Sequence, residues 1–543
     1  MPMKLNLNPW CALARHWLLA ALLLLGLAPA AWALTPTQAQ AVVDGDSDSR
    51  IAAIQALVAD GDERSQALVK ALAAERVMTS QQRVWLLRDD DRLQDAVTGD
   101  LIDWPDDAQE VMINNRLRGA LGVAVAGMDV LSAGPARQRE AARTLQREAF
   151  EAPEDAPRLI IDKALQRTDL DEQARQSLSL AAAAVAVADP QVAVRLRAAQ
   201  DLGEAKLAIV RPLLIARAEA EADAAVREAL ADSLASVDRA LALNRTLAEL
   251  FTGVSLGSIL LLAALGLAIT YGLMGVINMA HGELIMVGAY ATWLVQRGFQ
   301  LYAPEWFDAY LWLAMPVAFA ASAAVGALME RLVIRHLYGR PLETLLATWG
   351  ISLVLMQSVR SLFGAQNVGV ENPSWMSGSL TLMGSLNLPW NRIMIIVFAF
   401  AVLFGVGALI ARTRLGLFVR GVTQNRPMAA CMGVNTARVD TYAFALGAGV
   451  AGLAGCALSQ IGNVGPDLGQ SYIVDSFMVV VLGGVGQLAG TVYAALGLGV
   501  LNKFIEGWAG AVLAKIAVLV FIIVFIQKRP QGIFAMKGRS AEA

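Results

Sequence analysis

The spacing of apolar positions along this chain changes once, near residue 246. Beyond it they gather into nine runs, residues 250–274, 280–297, 311–330, 344–363, 393–411, 440–461, 472–486, 489–505 and 510–527. A helix of about 20 apolar residues crosses the hydrocarbon layer of a bilayer. The pattern predicts a polytopic α-helical membrane domain over residues 247–543, with about nine spans. The seventh and eighth runs are short and rich in glycine. Residues 34–246 hold no run of that length. Their apolar residues recur at three- and four-residue spacing, as on amphipathic helices. Residues 46–57 carry Arg50, Ile51, Ile54 and Leu57. Asp189 opens a stretch with Val194, Arg195, Ala199 and Leu202, and Asp223 another with Val226, Arg227, Leu230 and Leu234. An aspartate before such a run reads as a helix N-cap.

Repetition at roughly 32 residues resembles the stacked helix pairs of HEAT repeats. An irregular helical bundle is the other arrangement this spacing allows. The expected class is all-α in both parts, with the exported helical domain at 34–246 ahead of the membrane domain. Residues 1–33 read differently. Lys4 and Arg15 precede an apolar run from Trp17 to Ala28, and Ala31-Trp32-Ala33 has the small-x-small form of a signal-peptidase site. The segment is expected to be a signal peptide cleaved after Ala33, which places residues 34–246 outside the cytoplasm.

Composition sharpens the division. The 543 residues are 56% hydrophobic and 17% charged, against about 25% charged in ordinary soluble domains. Residues 1–246 hold 27 basic and 35 acidic side chains, and residues 247–543 hold 17 and 12. The net charge of −3 creates no field favouring nucleic acid. Cys11, Cys431 and Cys456, with His16, His281 and His336, form no close ligand cluster, which argues against a disulfide scaffold or a zinc site. Nine spans after an external N-domain put the C-terminus inside. The inner links then carry Arg331, Arg335, Arg340, Arg412, Arg414, Arg420, Arg426, Arg438, Lys528, Arg529, Lys537 and Arg539. The outer links carry Arg297 and Arg392, with Lys503 near a span end. That bias obeys the positive-inside rule and agrees with the leader.

Chemistry inside the membrane part is sparse. The chain has no GxxxxGK[ST] phosphate loop, no G-x-S-x-G elbow and no H-E-x-x-H helix. One polar cluster is Asn278-Met279-Ala280-His281-Gly282-Glu283, at the mouth of the second span. It reads as a pathway or gating element, or, for Glu283, as a helix cap near the inner face. A second is Gln460, Asn463, Asp467, Gln470 and Asp475 around an outer loop. There Asp475 reads as an N-cap for the run from Ser476, or as a group on a solute path. Arg360 is expected to snorkel. Glu330 and Lys515 are expected to face protein or water. The longest inner link, TRLGLFVRGVTQNRPMAACMGVNTARVDTYAF, is basic and reads as a charged loop or as a helix that docks a cytosolic partner.

Three segments, YGLMGVINMAHGELIMVGAYATW, the basic link above and VVVLGGVGQLAGTVYAALGLG, together resemble the permeases of branched-chain amino acid ABC importers over roughly residues 250–535. With the leader, the helical exported domain and GNVGPDLGQSYIVDSFMVVVLGGVG, the chain looks most like the urea-transporting branch. In the wider importer family an Ala stands four residues before a Gly in the coupling loop, and Ala429 and Gly433 match. Pro427 stands where the fuller pattern has an acidic residue.

The resemblance implies a non-enzymatic permease subunit of the inner membrane that moves urea or a related small polar solute. It implies an external solute-binding protein, a second related permease, and two cytosolic ATPase subunits that bind ATP and magnesium and grip the loop around Arg426, Ala429 and Gly433. It implies no cofactor or metal on this chain. Asn278, His281, Glu283, Gln460, Asn463 and Asp475 are the expected pathway residues. A branched-chain amino acid permease, a membrane-anchored scaffold or sensor, and a self-sufficient channel are the competing readings.

Overall fold

The computed structural model describes residues 34–534, apart from residues 81, 82, 89, 103, 106, 133, 155 and 383–385. The expected leader, residues 1–33 with Cys11 and His16, lies outside the described residues, as do Lys537 and Arg539. Contacts divide the chain into two compact units that meet between Leu241 and Ala242.

The first unit opens with α1 (Pro36–Val43), α2 (Ser47–Asp60) and α3 (Glu63–Ala73). It continues through α4 (Asn115–Ser132), α5 (Pro135–Glu151), α6 (Arg158–Leu165), α7 (Glu172–Ala186), α8 (Val192–Ala205) and α9 (Val210–Ala220). Aspartates start several of these. Asp46 accepts from Ser49 N–H at 2.8 Å, and Asp171 accepts from Gln173 and Ala174. Asp223 does the same for α10 (Ala224–Met274), accepting from Ala225 and Val226. Asp189 does not cap α8. The N-cap is Gln191, and Asp189 instead accepts from Gln191 N–H in a turn ahead of the helix.

Between α3 and α4 lies an element the helical expectation lacks, a five-stranded antiparallel sheet. Its strands are β1 (Val77–Ser80), β2 (Arg83–Leu87), β3 (Leu93–Asp95), β4 (Leu101–Ile102) and β5 (Gln109–Glu110), in the order β4-β3-β2-β1-β5. Strands of two to five residues leave too little alternation to read from a sequence. One core joins the sheet to α1–α4 around Val42, Ile54, Leu68, Val84 and Leu121. The other runs from α4 into α10 around Leu145, Leu178, Leu202 and Leu230.

A forked ion pair fixes the turn between α9 and α10. Arg195 Nε and Nη2 each donate to Glu221 at 2.9 Å, and Arg195 Nη1 donates to Asp189 O at 2.9 Å. The Arg195 hydrogen bonds hold the Glu221 carboxyl below its usual 4.5.

The second unit holds α10 from Ala242 onward, α11 (His281–Tyr302), α12 (Tyr310–Leu332), α13 (Pro341–Phe363), α14 (Trp390–Arg412), α15 (Arg414–Gln424), α16 (Arg426–Cys431), α17 (Thr436–Ser459), α18 (Leu468–Gly483), α19 (Leu488–Ala509) and α20 (Ala511–Lys528). Strands β6 (Ser379–Leu382) and β7 (Leu386–Pro389) form a hairpin before α14. Each of the nine apolar runs falls on a helix. Among the described residues, seven helices are long and apolar enough to cross a membrane, namely α10, α12, α13, α14, α17, α19 and α20. Helix α18 is shorter, at 16 residues. Helix α11 is long enough but carries His281, Glu283, Thr292 and Gln296, all buried. It packs against α12, α17 and α18 and so faces protein.

That packing runs through glycines. A Cβ on Gly288 would lie 2.2 Å from Gly452 O, one on Gly266 2.4 Å from Gly447 O, and one on Gly282 2.4 Å from Gly469 O. Backbone thus meets backbone where α11 crosses α17 and α18, and where α10 crosses α17.

Two outcomes are expected. Gly288→Ala forces backbone apart and lowers thermal stability in detergent by about 1–3 kcal/mol or more. Gly298→Ala on the same helix meets nothing within 4 Å, and it is neutral or gains about 0.5–1 kcal/mol. Second, a depressed carboxyl adds stability that is complete above the ordinary value and is lost as pH falls through the folded one. The Tm gap between native protein and Glu221→Gln is therefore widest at neutral pH and narrows below 4.5, read by thermal melts across pH.

Candidate functional site

Helix α10 ends at Met274, and Gly275 takes φ +65°. A left-handed residue there turns the chain out of the helix at no steric cost. The segment after it does not run along a surface. The ring of His281, the first residue of α11, sets Nε2 2.9 Å from Ala263 O. Ala263 lies eleven residues before Met274, about 16 Å back along the helix axis. Residues 275–280 therefore re-enter the bundle as non-helical chain beside α10, and α11 starts deep inside. Val276, Asn278 and Ala280 of this segment are buried.

Non-helical backbone at that depth needs hydrogen-bond partners from protein. Asn278 Oδ1 accepts from Ala280 N–H at 3.0 Å. Met279 N–H donates to Thr348 Oγ1 at 3.1 Å. Ser322 Oγ donates to Leu284 O at 2.9 Å. The Glu283 carboxyl meets Ser352 and its own backbone N–H. Asn278 Nδ2 and His281 Nδ1 are buried with no hydrogen-bond partner among the described residues. At the same place Gly282 touches Gly469, so the first turns of α11 and α18 are adjacent. Helix N-termini carry partial positive charge and free N–H groups.

Asn278, His281 and Glu283 are thus brought together. Glu283 lies in the first helical turn of α11, at the level of Ala263 rather than of the end of α10. Thr348, Ser352 and Ser322 join them, and the sequence reading missed all three. A signal existed: Thr344, Thr348 and Ser352 stand at four-residue spacing on an apolar helix, and all three are buried.

The other expected residues lie elsewhere. Gln460 Oε1 lies 3.1 Å from the Tyr310 hydroxyl, which itself lies 2.8 Å from Glu371 O, and Gln296 Nε2 donates to Glu371 O at 3.0 Å. Those bonds pin the loop after α13 to the ends of α11, α12 and α17. Asn463 and Asp467 are exposed in the loop before α18, and Gln470 is exposed in the first turn of that helix. Asp475 is not an N-cap. Helix α18 begins at Leu468, so Asp475 sits inside it, half-buried, with Lys515 as its nearest opposing charge.

The basic link folds as α15 and α16. Ala429 turns inward onto Val419, Val422 and Val439, while Met428 and Met432 are exposed. Gly433 has φ +83°, its N–H donates to Ala430 O, and Val434 N–H donates to Ala429 O at 3.1 Å. This is the Schellman pattern, with Gly at C′ and a C″ side chain packed on C3. The Ala-to-Gly spacing is therefore a helix stop with its own apolar contact.

A multi-span helical bundle with a re-entrant polar segment and a glycine-stopped helix outside the spans defines a transport-type membrane protein. Residues 249–527, just over half of the chain, match the family described as branched-chain amino acid transport system / permease component, and the chain belongs to that family. It is a transport subunit and not an enzyme. The high-affinity branched-chain amino acid transport system permease protein BraD of Pseudomonas aeruginosa is 30% identical over 297 residues, covering 53% of this chain and 95% of BraD. Its counterpart LivH of Escherichia coli is 27% identical over 296 residues, covering 53% of this chain and 94% of LivH. The ribose import permease protein RbsC of Escherichia coli is 28% identical over 204 residues, covering 35% of this chain and 60% of RbsC. No solved structure matches.

Gly433→Val places a β-branched residue at a left-handed φ, costing about 1–2 kcal/mol. Amide exchange over 429–434 is expected to quicken roughly five- to thirtyfold, the factor that 1–2 kcal/mol carries. Gly433→Asn, which tolerates that φ, is expected to stay near native.

Proposed function

We propose that this chain is the membrane-spanning permease subunit of an ABC importer that carries urea, or a related small polar solute, across the inner membrane. Nine helices span, counting α11 and the short α18. Residues 1–33 direct export and are removed. The HEAT-like helices of 34–246 lie on the outer side, and the C-terminus lies in the cytoplasm. An external binding protein delivers solute, and a second related permease completes the pathway. Two cytosolic ATPase subunits bind ATP and magnesium and grip α15–α16 around Arg426, Ala429 and Gly433. ATP acts by stabilising one of two bundle states over the other.

The observation that most supports a solute path is the re-entrant segment, with a donor left free on Asn278 Nδ2 and an acceptor on His281 Nδ1. Urea needs amide, hydroxyl and carbonyl partners and no fixed counter-charge. Asn278, Thr348 and Ser352 have amide and hydroxyl groups, His281 Nδ1 and Glu283 suit its N–H groups, and the α11 N-terminus suits its carbonyl oxygen. Gln460, Asn463 and Asp475 are assigned to the outer part of the route.

A branched-chain amino acid is the second reading, favoured by the names of the relatives. The α11 N-terminus would then take the carboxylate and Glu283 the ammonium. Uptake of labelled urea and labelled leucine, in cells with and without this gene, separates the two. Urea uptake that disappears with the gene is expected. Leucine uptake that depends on it, with urea unchanged, reverses the choice of solute.

A further inference from the structure

Charged side chains and a tyrosine meet where α12, α16 and α17 come together, outside the solute route described above. Glu330, in the last turn of α12, is fully buried. Its Oε2 accepts from Thr441 Oγ1 at 2.6 Å and lies 3.4 Å from Arg335 Nη2. Its Oε1 accepts from the Tyr338 hydroxyl at 3.2 Å. Asp440, beside Thr441 on α17, is buried too, and its Oδ2 takes Arg426 Nη2 at 2.5 Å. Arg426 is the first residue of α16, and its guanidinium lies 4.8 Å above the Tyr338 ring. The Tyr338 hydroxyl also lies 3.5 Å from the sulfur of Met274, the last residue of α10. The next residue is Gly275, where the re-entrant segment begins.

Buried ion pairs add little net stability compared with apolar packing. Their geometry is better explained by what they hold in place. Here Arg426 clamps α16 to α17 through Asp440, and to Tyr338 through its flat face. Tyr338 bridges α12, through Glu330, to the end of α10. An Arg fork suits both jobs at once, which a Lys ammonium does not.

We propose that Arg426 and Tyr338 are positioning residues that link the placement of α16 to the end of α10, so that displacement of α16 by an ATPase partner moves the segment 275–280. The proposal rests on the reading of α15–α16 as the ATPase coupling element. Arg426 cannot follow α16 without breaking from Asp440 or carrying Tyr338 along, and Tyr338 contacts Met274, the residue just before the solute-route segment.

The test uses the full chain reconstituted in vesicles with its ATPase, second permease and binding-protein partners, with labelled urea and labelled leucine both supplied. Transport and ATP hydrolysis are read from the same vesicles for native protein, Arg426→Lys, Tyr338→Phe, Asp440→Asn and the swap of Arg426→Asp with Asp440→Arg. In Tyr338→Phe, bound ATPase and hydrolysis are expected to stay within about twofold of native while solute moved per ATP falls about fivefold or more, and Arg426→Lys is expected to show the same fall in solute moved per ATP. The swap is expected to restore part of what Asp440→Asn loses. A native ratio of solute to ATP in both Arg426→Lys and Tyr338→Phe overturns the proposal. So does a parallel loss of hydrolysis, bound ATPase and transport in Tyr338→Phe, which marks a structural role alone. Tyr338→Phe removes one oxygen and leaves the ring, so it decides the matter if the Arg426 variants fold poorly. Native vesicles that transport without ATP instead overturn the importer reading itself.

Discussion

Backbone contact at paired glycines is the constraint on which the membrane unit depends. With no Cβ on Gly282, Gly288, Gly452 or Gly469, α11 lies against α17 and α18 at a separation that any side chain would prevent. Hydrophobic burial does not drive helices together in lipid, since the tails are as apolar as the side chains. Close van der Waals contact does. It also encloses α11 in protein, which is why a helix can carry His281, Glu283, Thr292 and Gln296 in its buried positions.

Much of the architecture was legible from hydropathy alone. Each of the nine runs became a helix, and Asp46 and Asp223 sit where an N-cap belongs. The family resemblance, carried by three separated motifs, also held. What failed did so for local reasons. Asp475 and Asp189 looked like caps because an apolar run comes after each, but a helix start is set by backbone geometry several residues earlier or later. The sheet escaped because its strands are too short for a period. The depth of Asn278–Glu283 was hidden for another reason. In sequence a polar hexapeptide between two apolar runs looks like a surface turn, and only the Ala263–His281 contact reveals that the chain doubles back.

The polar groups of the bundle fall into sets with different work. Gln460, Tyr310 and Gln296 fasten a loop to helix ends and satisfy one another. Glu330, Arg335, Tyr338, Thr441, Asp440 and Arg426 pair charge with charge at the other end of the same helices. Between them, the set around residues 275–283 leaves a donor on Asn278 and an acceptor on His281 unpaired. Full pairing rigidifies, whereas an unpaired donor in a dry interior is costly unless something else meets it.

The polar content of α11 also bears on how the protein is made. Polar and ionisable residues lower the tendency of a nascent helix to enter the bilayer on its own. Helix α11, with His281 and Glu283 in its first turn and Thr292 and Gln296 further along, is less apolar than α10 before it and α12 after it. A helix of that kind relies on strongly apolar neighbours for its placement, which gives α10 and α12 a part in assembly besides their part in packing.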